Sequence, residues 1–144
     1  MSGINEGQNL GPVYDVSGTV GAAREAAERG IPALAVSQGL GAEPDYEAAV
    51  PFVIDWVEAR RARAGDGPRD APAEVEGLNV PTCTAGEVRG QRRVTRVAAA
   101  SPDALVAQDC TATDNDPDTD DTVDDVEAFN SGFAVLSPIP TTAG

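Results

Sequence analysis

The stretch SGTVGAAREAAERGIPALAVS, residues 17–37, decides the fold of this chain. Ser17 or Thr19 can cap a helix start, and the alanines that follow favour helix strongly. Gly30 suits the position just after a helix ends, and an apolar strand then runs through Val36. A helix followed by a buried strand is typical of an α/β unit with a parallel sheet.

The residues before this unit, SGINEGQNLG at positions 2–11, are predicted to belong to a glycine-punctuated loop that extends to residue 18. The amide oxygen of Asn5 is a good ligand for a hard divalent cation, and nearby glycines let the backbone approach a phosphate. Spacing alone favours another interpretation, in which Asn5 holds its own loop as an Asx turn.

The helix start at Ser17, Gly18 and Thr19 is a candidate phosphate site, because hydroxyls and free N–H groups there attract anions. Simple capping of the helix is compatible with that role and needs no ligand.

After residue 37, a second helix is predicted from about Asp45 to Ala64, with Pro51 either kinking it or marking its start. Its apolar stripe contains Tyr46, Val50, Phe52, Val53, Ile54, Trp56 and Val57, and its aromatic members are expected to be core and not a base-stacking platform. The later predictions are a linker at 65–76, β segments at Leu78–Val80 and Arg93–Ala98, an acidic loop at 109–125, a helix through Phe129 and a strand ended by Pro138.

The composition excludes several classes of chemistry. The 144 residues contain no histidine and no lysine, so Ser-His-Asp, Cys-His and Schiff-base catalysis are ruled out. The net charge of −14 argues against binding to nucleic-acid polymers, and no apolar run of membrane-spanning length is present. The compact arginine cluster at 60–63 is predicted to be solvated at a helix end.

Several segments carry a family resemblance. The motifs Ser-Gly-Ile-Asn-x-Gly-x-Asn-Leu-Gly and Ser-Gly-Thr-Val-Gly-Ala-Ala resemble the signature of the SurE survival-protein family of metal-dependent nucleotidases and phosphatases. Weaker similarities follow in family order at 30–37, 78–81, 88–90 and 132–139. The resemblance implies a partial Rossmann-like, three-layer α/β fold with a parallel sheet and a C-terminal β-rich extension.

The resemblance also implies the roles of individual residues. It makes Asn5 a ligand of a divalent cation, Mg or Mn, and places Asn9 in the same active-site loop. Ser17, Gly18 and Thr19 would bind the phosphate of a nucleoside monophosphate. The family favours cytoplasmic location and homodimers or homotetramers when full length.

The principal metal ligands of the family, an Asp-Asp pair in an Asn-Asp-Asp-Gly motif, have no match here. The Asp-Asp pairs of this chain, 120–121 and 124–125, lie in the late acidic loop, so no catalytic residue is assigned. We therefore expect residues 1–144 to be an incomplete C-terminal portion, with an α/β part at 1–64 and a β-rich part at 77–144. Such a chain should fold poorly and be inactive, or be a non-catalytic nucleotide- or cation-binding remnant.

Two features remain open. The acidic tract 114–125 resembles an EF-hand loop but lacks its turn glycine and terminal glutamate, so a solvated loop is favoured over a calcium site. Cys83 and Cys110 are expected either to form a disulfide, which would accompany export, or to stay as buried free thiols.

Overall fold

A computed structural model of the chain describes residues 1–63, 73–113 and 123–141. The strands and α-helices of the described residues are β1 (Ser2–Glu6), α1 (Gly18–Glu28), β2 (Ala33–Gln38), α2 (Val50–Arg63), β3 (Val75–Val80), β4 (Gln91–Arg93), α3 (Asp125–Asn130) and β5 (Ala134–Ile139). Short 3-10 helices span Gly11–Asp15 and Tyr46–Ala49. This mixed α/β architecture confirms the predicted fold class.

All the described strands join one sheet in the order β1-β2-β3-β5-β4. Strands β1, β2 and β3 are parallel, β5 runs antiparallel to β3, and β4 is parallel to β5. Strands from both predicted parts, 1–64 and 77–144, therefore contribute to the same sheet. The division of the chain into those two parts stays a prediction.

The core lies on both faces of the sheet, because successive strand residues point to opposite sides. One face packs against α1 through Val20, Ala23 and Ala27, with Tyr14 buried beside them. The other face, which includes Val36 and Leu78, packs against α2. These two helix layers around the sheet give the three-layer arrangement that the family resemblance implies.

The helix of the opening stretch forms as predicted. The Ser17 hydroxyl accepts a hydrogen bond from the Val20 N–H at 3.3 Å, so Ser17 is the N-cap of α1. Gly30 follows the helix with a φ of +78°, a conformation that residues with a side chain rarely adopt. Strand β2 then continues past Val36 to Gln38.

The predicted loop over residues 2–18 is wrong, because its first part is strand β1 and its middle is a 3-10 helix. Strand β1 has little apolar content, and main-chain pairing with β2 is what makes it a strand. Gly3 allows that pairing, since a Cβ at this position would overlap the carbonyl oxygen of Val36. Periodicity cannot detect a strand defined by such close backbone approach.

The second predicted helix forms with two differences. Asp45 caps the 3-10 helix through the Ala48 N–H, and α2 begins at Val50, so Pro51 marks the helix start and causes no kink. Of the aromatic residues predicted to be core, Phe52 and Trp56 pack on the sheet, and the prediction is wrong for Tyr46. Val53 also packs there, whereas four members of the apolar stripe stay exposed: Tyr46, Val50, Ile54 and Val57.

The later strands differ from prediction in their bounds. Strand β3 begins at Val75, so the connection predicted at 65–76 ends sooner. The strand predicted at Arg93–Ala98 is wrong: β4 ends at Arg93, and Thr95 forms only an isolated bridge with Asp124. The Val97 N–H instead donates a hydrogen bond to the Asp125 carboxylate.

The end of the chain also departs slightly from prediction. Strand β5 continues through Pro138 to Ile139, because pairing with β3 persists to the Val75–Ile139 position. Of the acidic loop predicted at 109–125, residues 114–122 lie outside the described residues, and with them most of the EF-hand-like tract and the Asp120-Asp121 pair.

A disulfide joins Cys83, after β3, to Cys110, before α3. The Thr82 N–H donates to the Gln108 Oε1 at 2.9 Å, so two contacts tie the same pair of segments together. That disulfide formation accompanies export stays a prediction. Among the described helices, none has the length and apolarity needed to cross a bilayer.

The carboxylate of Glu76 connects three elements. Its Oε2 accepts hydrogen bonds from Trp56 Nε1 at 2.6 Å and from Arg60 at 2.8 Å, both on α2, and its Oε1 pairs with Arg93 of β4 at 2.6 Å. The prediction of a fully solvated arginine cluster is therefore wrong for Arg60. The side chain of Glu76 is only 4% exposed.

These contacts shift the acidity of Glu76. Burial acts to raise its pKa, but the hydrogen bonds from Arg60 and Trp56 and the charge of Arg93 together hold the pKa below its ordinary value. The carboxylate therefore stabilises the fold in its charged form.

Glu76→Gln is expected to lower the free energy of unfolding by about 3 kcal/mol near neutral pH, because two arginines lose their buried partner. Since the folded-state pKa is lowered, this contribution is complete above the ordinary glutamate pKa of about 4.3 and is lost as the pH falls through the folded-state value. Urea unfolding of both proteins at neutral and strongly acidic pH measures it. If the difference in unfolding free energy between the two proteins did not narrow in acid, Glu76 would not stabilise the fold as a charged carboxylate.

Candidate functional site

Three polar residues form a row across the carboxyl ends of the parallel strands. Asn5 of β1 is the register partner of Ser37 of β2, which in turn is the register partner of Asn79 of β3. Residues in register on neighbouring strands project to the same face of a sheet. The row therefore lies on the face of the sheet that α1 covers. It is at the edge where the loops after β1 and β2 begin.

Asn9 fixes the loop that follows β1 onto this row. Its main-chain N–H donates to the Asn79 Oδ1 at 2.7 Å, and its side-chain Nδ2 donates to the Ser37 Oγ at 2.7 Å. Asn9 is buried, as are Ser37 and Asn79. The structure thus brings Asn9 and Asn5 together around Ser37, and the main-chain N–H and the Nδ2 of Asn9 both donate within the chain. Direct contact of Asn9 with a ligand stays a prediction.

Asn5 is less buried than Asn9 and makes a local contact. Its Nδ2 donates to the carbonyl oxygen of Gly7 at 2.8 Å, which is the loop-holding contact anticipated for an asparagine beside glycines. No described residue donates a hydrogen bond to the amide oxygen of Asn5. This oxygen can accept a hydrogen bond or ligate a cation while the nitrogen holds the loop.

Gln8 braces the same loop from the other side. Its Nε2 donates to the Leu105 carbonyl at 2.7 Å, and its Oε1 accepts from the Leu40 N–H at 3.0 Å. Residues far apart in sequence therefore hold the loop between Asn5 and Gly11. Such bracing fixes the position of the Asn5 amide relative to the strand ends.

Behind the row lies a buried polar pair. The Asn79 Nδ2 donates to the Tyr14 hydroxyl at 3.0 Å. Burial, with a further contribution from the charge of Asp125, raises the pKa of Tyr14 far above its ordinary value. Burial also raises the pKa of Asp125, although hydrogen bonds from the Gly11 and Val97 N–H groups oppose this. Tyr14 therefore stays neutral and serves as a hydrogen-bonding support.

The first turn of α1 carries the other predicted site residues, Ser17, Gly18 and Thr19. Because α1 returns antiparallel to β1, it begins at the carboxyl edge of the sheet, the edge where the polar row lies. The space around the Gly18 Cα is open. No hydrogen bond among the described residues joins this turn to Asn5 or Asn9. The turn is a separate set of anion-attracting N–H groups on the same edge.

Two arginines lie close to this turn. Asp15, two residues before Ser17, accepts hydrogen bonds from Arg24 and Arg96, each at 3.0 Å. These hydrogen bonds hold the pKa of Asp15 below its ordinary value. The helix start therefore lies beside an ion-paired carboxylate whose charge is offset by two cations.

The described residues alone do not make a divalent-cation site. Asn5 offers one neutral oxygen, and the ranges 1–63, 73–113 and 123–141 contain no group of three cysteine or carboxylate side chains able to hold a metal ion. The pair Asp124-Asp125 is committed elsewhere: Asp124 caps α3, and Asp125 accepts from Gly11 and Val97. A hard cation generally requires more oxygen ligands than this.

Sequence reasoning missed Ser37 and Asn79 as site residues. Each is a polar residue near the end of an apolar strand, and the carboxyl ends of parallel strands are where α/β proteins bind ligands. That signal is present in the segments ALAVS and LNVP. Only the strand register shows that Ser37 and Asn79 are neighbours.

The chain is an α/β protein with a polar row at the carboxyl edge of its parallel strands, which is the edge where proteins of this class generally bind ligands. The family model described as "Survival protein SurE" matches residues 1–103. This chain belongs to the SurE family, as the sequence motifs indicate.

Named relatives agree with this assignment. The 5′-nucleotidase SurE of Mannheimia succiniciproducens is 32% identical over 148 residues, covering 96% of this chain and 57% of the relative. That of Leptospira biflexa is 42% identical over 89 residues, covering 60% of this chain and 33% of the relative. The crystal structure of the SurE protein from Aquifex aeolicus matches 99% of this chain and 58% of that one, with a TM-score of 0.62 and 22% identity.

The chain thus spans less than two thirds of the length of these relatives. The Aquifex aeolicus structure supports the fold.

Proposed function

We propose that this chain is part of a metal-dependent phosphomonoesterase, a 5′-nucleotidase that hydrolyses nucleoside monophosphates. The observation that carries the proposal is the Asn5–Ser37–Asn79 row at the carboxyl edge of the sheet, in a chain that belongs to the SurE family. An α-helix start on the same edge offers N–H groups suited to a phosphate.

Each site residue has a distinct part in this proposal. The amide oxygen of Asn5 is the donor that the chain offers to Mg²⁺ or Mn²⁺, while its nitrogen stays on the Gly7 carbonyl. Ser17, Gly18 and Thr19 bind the substrate phosphate. Asn9 donates a hydrogen bond to Ser37, which fixes the loop after β1 and so positions Asn5.

We propose that the 144-residue chain does not hydrolyse nucleotides by itself. The reason is the donor set: one neutral amide oxygen cannot replace the carboxylates that a hard divalent cation requires. The carboxylates would come from a part of the family domain that these residues do not include. Homodimers or homotetramers, cytoplasmic location and the export of a disulfide-bonded chain stay predictions.

A hybrid enzyme tests the proposal. Residues 1–144 replace the matching 57% of the Mannheimia succiniciproducens relative, and hydrolysis of AMP is measured with and without Mn²⁺. We expect Mn²⁺-dependent release of phosphate from the hybrid and none above background from the chain alone. The unmodified relative serves as the positive control, and circular dichroism checks that each protein is folded.

Two results would contradict the proposal. If the isolated chain hydrolysed AMP at the rate of the relative, the claim that its metal ligands are incomplete would be refuted. A folded hybrid that binds AMP or Mn²⁺ without turnover would favour the second candidate, a non-catalytic nucleotide- or cation-binding remnant. The lack of a carboxylate cluster among the described residues is the observation that favours that candidate.

A further inference from the structure

A segment between β4 and α3, residues 104–110, connects the loops at the carboxyl edge of the parallel strands, and we call it the strap. The Gln108 side chain of the strap joins the loops after β2 and β3: its Nε2 donates to the Leu40 carbonyl, and its Oε1 accepts from the Thr82 N–H at 2.9 Å. Gly39 permits this contact, because a Cβ there would overlap the Gln108 Oε1. The strap therefore ties the ends of two strands together.

The strap also holds the loop after β1, the loop that follows Asn5. The Gln8 Nε2 donates to the Leu105 carbonyl of the strap at 2.7 Å. The Gln8 Oε1 accepts from the Leu40 N–H at 3.0 Å, so Leu40 bonds to this loop through its N–H and to the strap through its carbonyl. All three loops that follow the parallel strands are thus connected through one short segment.

The strap has little support of its own. None of its residues lies in a helix or a strand, only Cys110 is fully buried, and Ala104 and Leu105 are half-buried against the core. Two hydrogen bonds with Asn130 anchor it to α3. Its covalent anchor is the disulfide from Cys110 to Cys83. Segments with few buried contacts open at low free-energy cost, so this covalent link limits how far the strap can open.

The disulfide lies where a small reductant has access. Cys83 is only partly buried, it lines a surface cavity of about 310 Å³, and the four residues after it, 84–87, are exposed. The chain has two cysteines, so reduction leaves no third thiol with which either sulfur could pair again. Breaking and re-forming this one bond therefore interconverts two defined states of the chain.

We propose that the Cys83–Cys110 disulfide is a redox switch for the loop that positions Asn5. In the oxidised chain the strap holds Gln8, and Gln8 holds the loop. A dithiol breaks the S–S bond by passing two electrons and two protons to the two sulfur atoms, and itself becomes a disulfide. The strap then opens more often, and the amide of Asn5 is less firmly placed. The inference rests on the proposed function, because it concerns the regulation of that same site.

Hydrogen exchange on the full chain tests the switch without any need for activity. Reduction by a dithiol should speed exchange of the Leu40 amide, which donates to the Gln8 Oε1, about tenfold, because the strap opens locally, and should leave the amides of α1 unchanged. The control is the double variant Cys83→Ser/Cys110→Ser, which should exchange at the reduced rate with and without dithiol.

Two exchange results would overturn the inference. An unchanged Leu40 amide would mean that the disulfide does not hold the strap on the loop. Equal acceleration at Leu40 and throughout α1 would mean that the disulfide stabilises the whole fold and has no special effect on the loop.

The hybrid nucleotidase links the switch to the site. Reduction should raise the Mn²⁺ concentration for half-maximal rate about tenfold, the scale on which metal affinity responds to loss of supporting contacts, and should largely keep the rate at saturating Mn²⁺. Gln8→Ala should act likewise in the oxidised hybrid, because it separates the loop from the strap. The matched control, Gln91→Ala, removes an exposed amide on β4 and should have no effect. The double-serine hybrid corrects for any binding of Mn²⁺ by the dithiol.

The outcomes in the hybrid separate the inference from the proposed function. An active hybrid whose Mn²⁺ requirement does not change on reduction would overturn the inference. A hybrid without turnover, combined with a Leu40 amide that responds to reduction as expected, would support the switch and contradict the proposed function.

Discussion

Asn5→Ala in the hybrid nucleotidase is expected to lower kcat/KM for AMP about 100-fold, the upper end of the roughly 10- to 100-fold losses that follow removal of groups supporting metal ligands. The alanine removes the amide oxygen that we propose to ligate the cation. It also removes the local hydrogen bond to the Gly7 carbonyl. A second variant is needed to separate these two effects.

Asn5→Asp separates them, because it keeps an oxygen and loses the nitrogen that donates to Gly7. If ligation is what matters, the aspartate variant should retain far more activity than the alanine variant, and it should need less Mn²⁺ for half-maximal rate. Gln91→Ala serves as the matched control, since it removes an exposed amide on the far edge strand, β4. Equal losses for both Asn5 variants would show that the residue only holds its loop.

Asp125→Ala is expected to lower the free energy of unfolding by about 4 kcal/mol. The carboxylate is fully buried, and its two oxygens accept the N–H groups of Gly11 at 2.7 Å and Val97 at 2.8 Å. Hydrogen bonds to a charged group are worth about 1.5–3 kcal/mol each, and truncation leaves both donors without that acceptor. Urea unfolding monitored by circular dichroism measures the loss.

The neighbouring residue provides a matched control for this prediction. Asp124→Ala removes the N-cap of α3, whose oxygen accepts from Val126 and Glu127, and should cost about 1 kcal/mol. A loss for Asp125→Ala no larger than for Asp124→Ala would mean that the buried carboxylate does not hold the Gly11 loop to the segment around Val97.

Local pattern was sufficient where the responsible contacts are close in sequence. The Ser17 cap, the alanine-rich helix and the Gly30 terminus of α1 all form within a few residues of one another, and all were predictable. Strand β1 was not, because Gly3 and Asn5 gain their strand conformation from pairing with β2, about thirty residues later.

The candidate site shows the same division. The motif around Asn5 and Asn9 and its family were visible in the sequence. The partners of Asn9, namely Ser37 and Asn79, were not, since they belong to two other strands. The apolar stripe of α2 was recognised, but the sequence could not tell which part the chain itself covers; Phe52 is covered and Ile54 is not.

The amino-acid order by itself determined the α/β class, the capped helix α1, the exclusion of histidine and lysine chemistry, and membership of the SurE family, because these depend on residue type and short spacing. Only the tertiary structure decided the polar row, the buried Asp125 contacts, the disulfide and the exposed flank of α2. These depend on strand register and on which surfaces meet, and such contacts join residues that are distant in the chain.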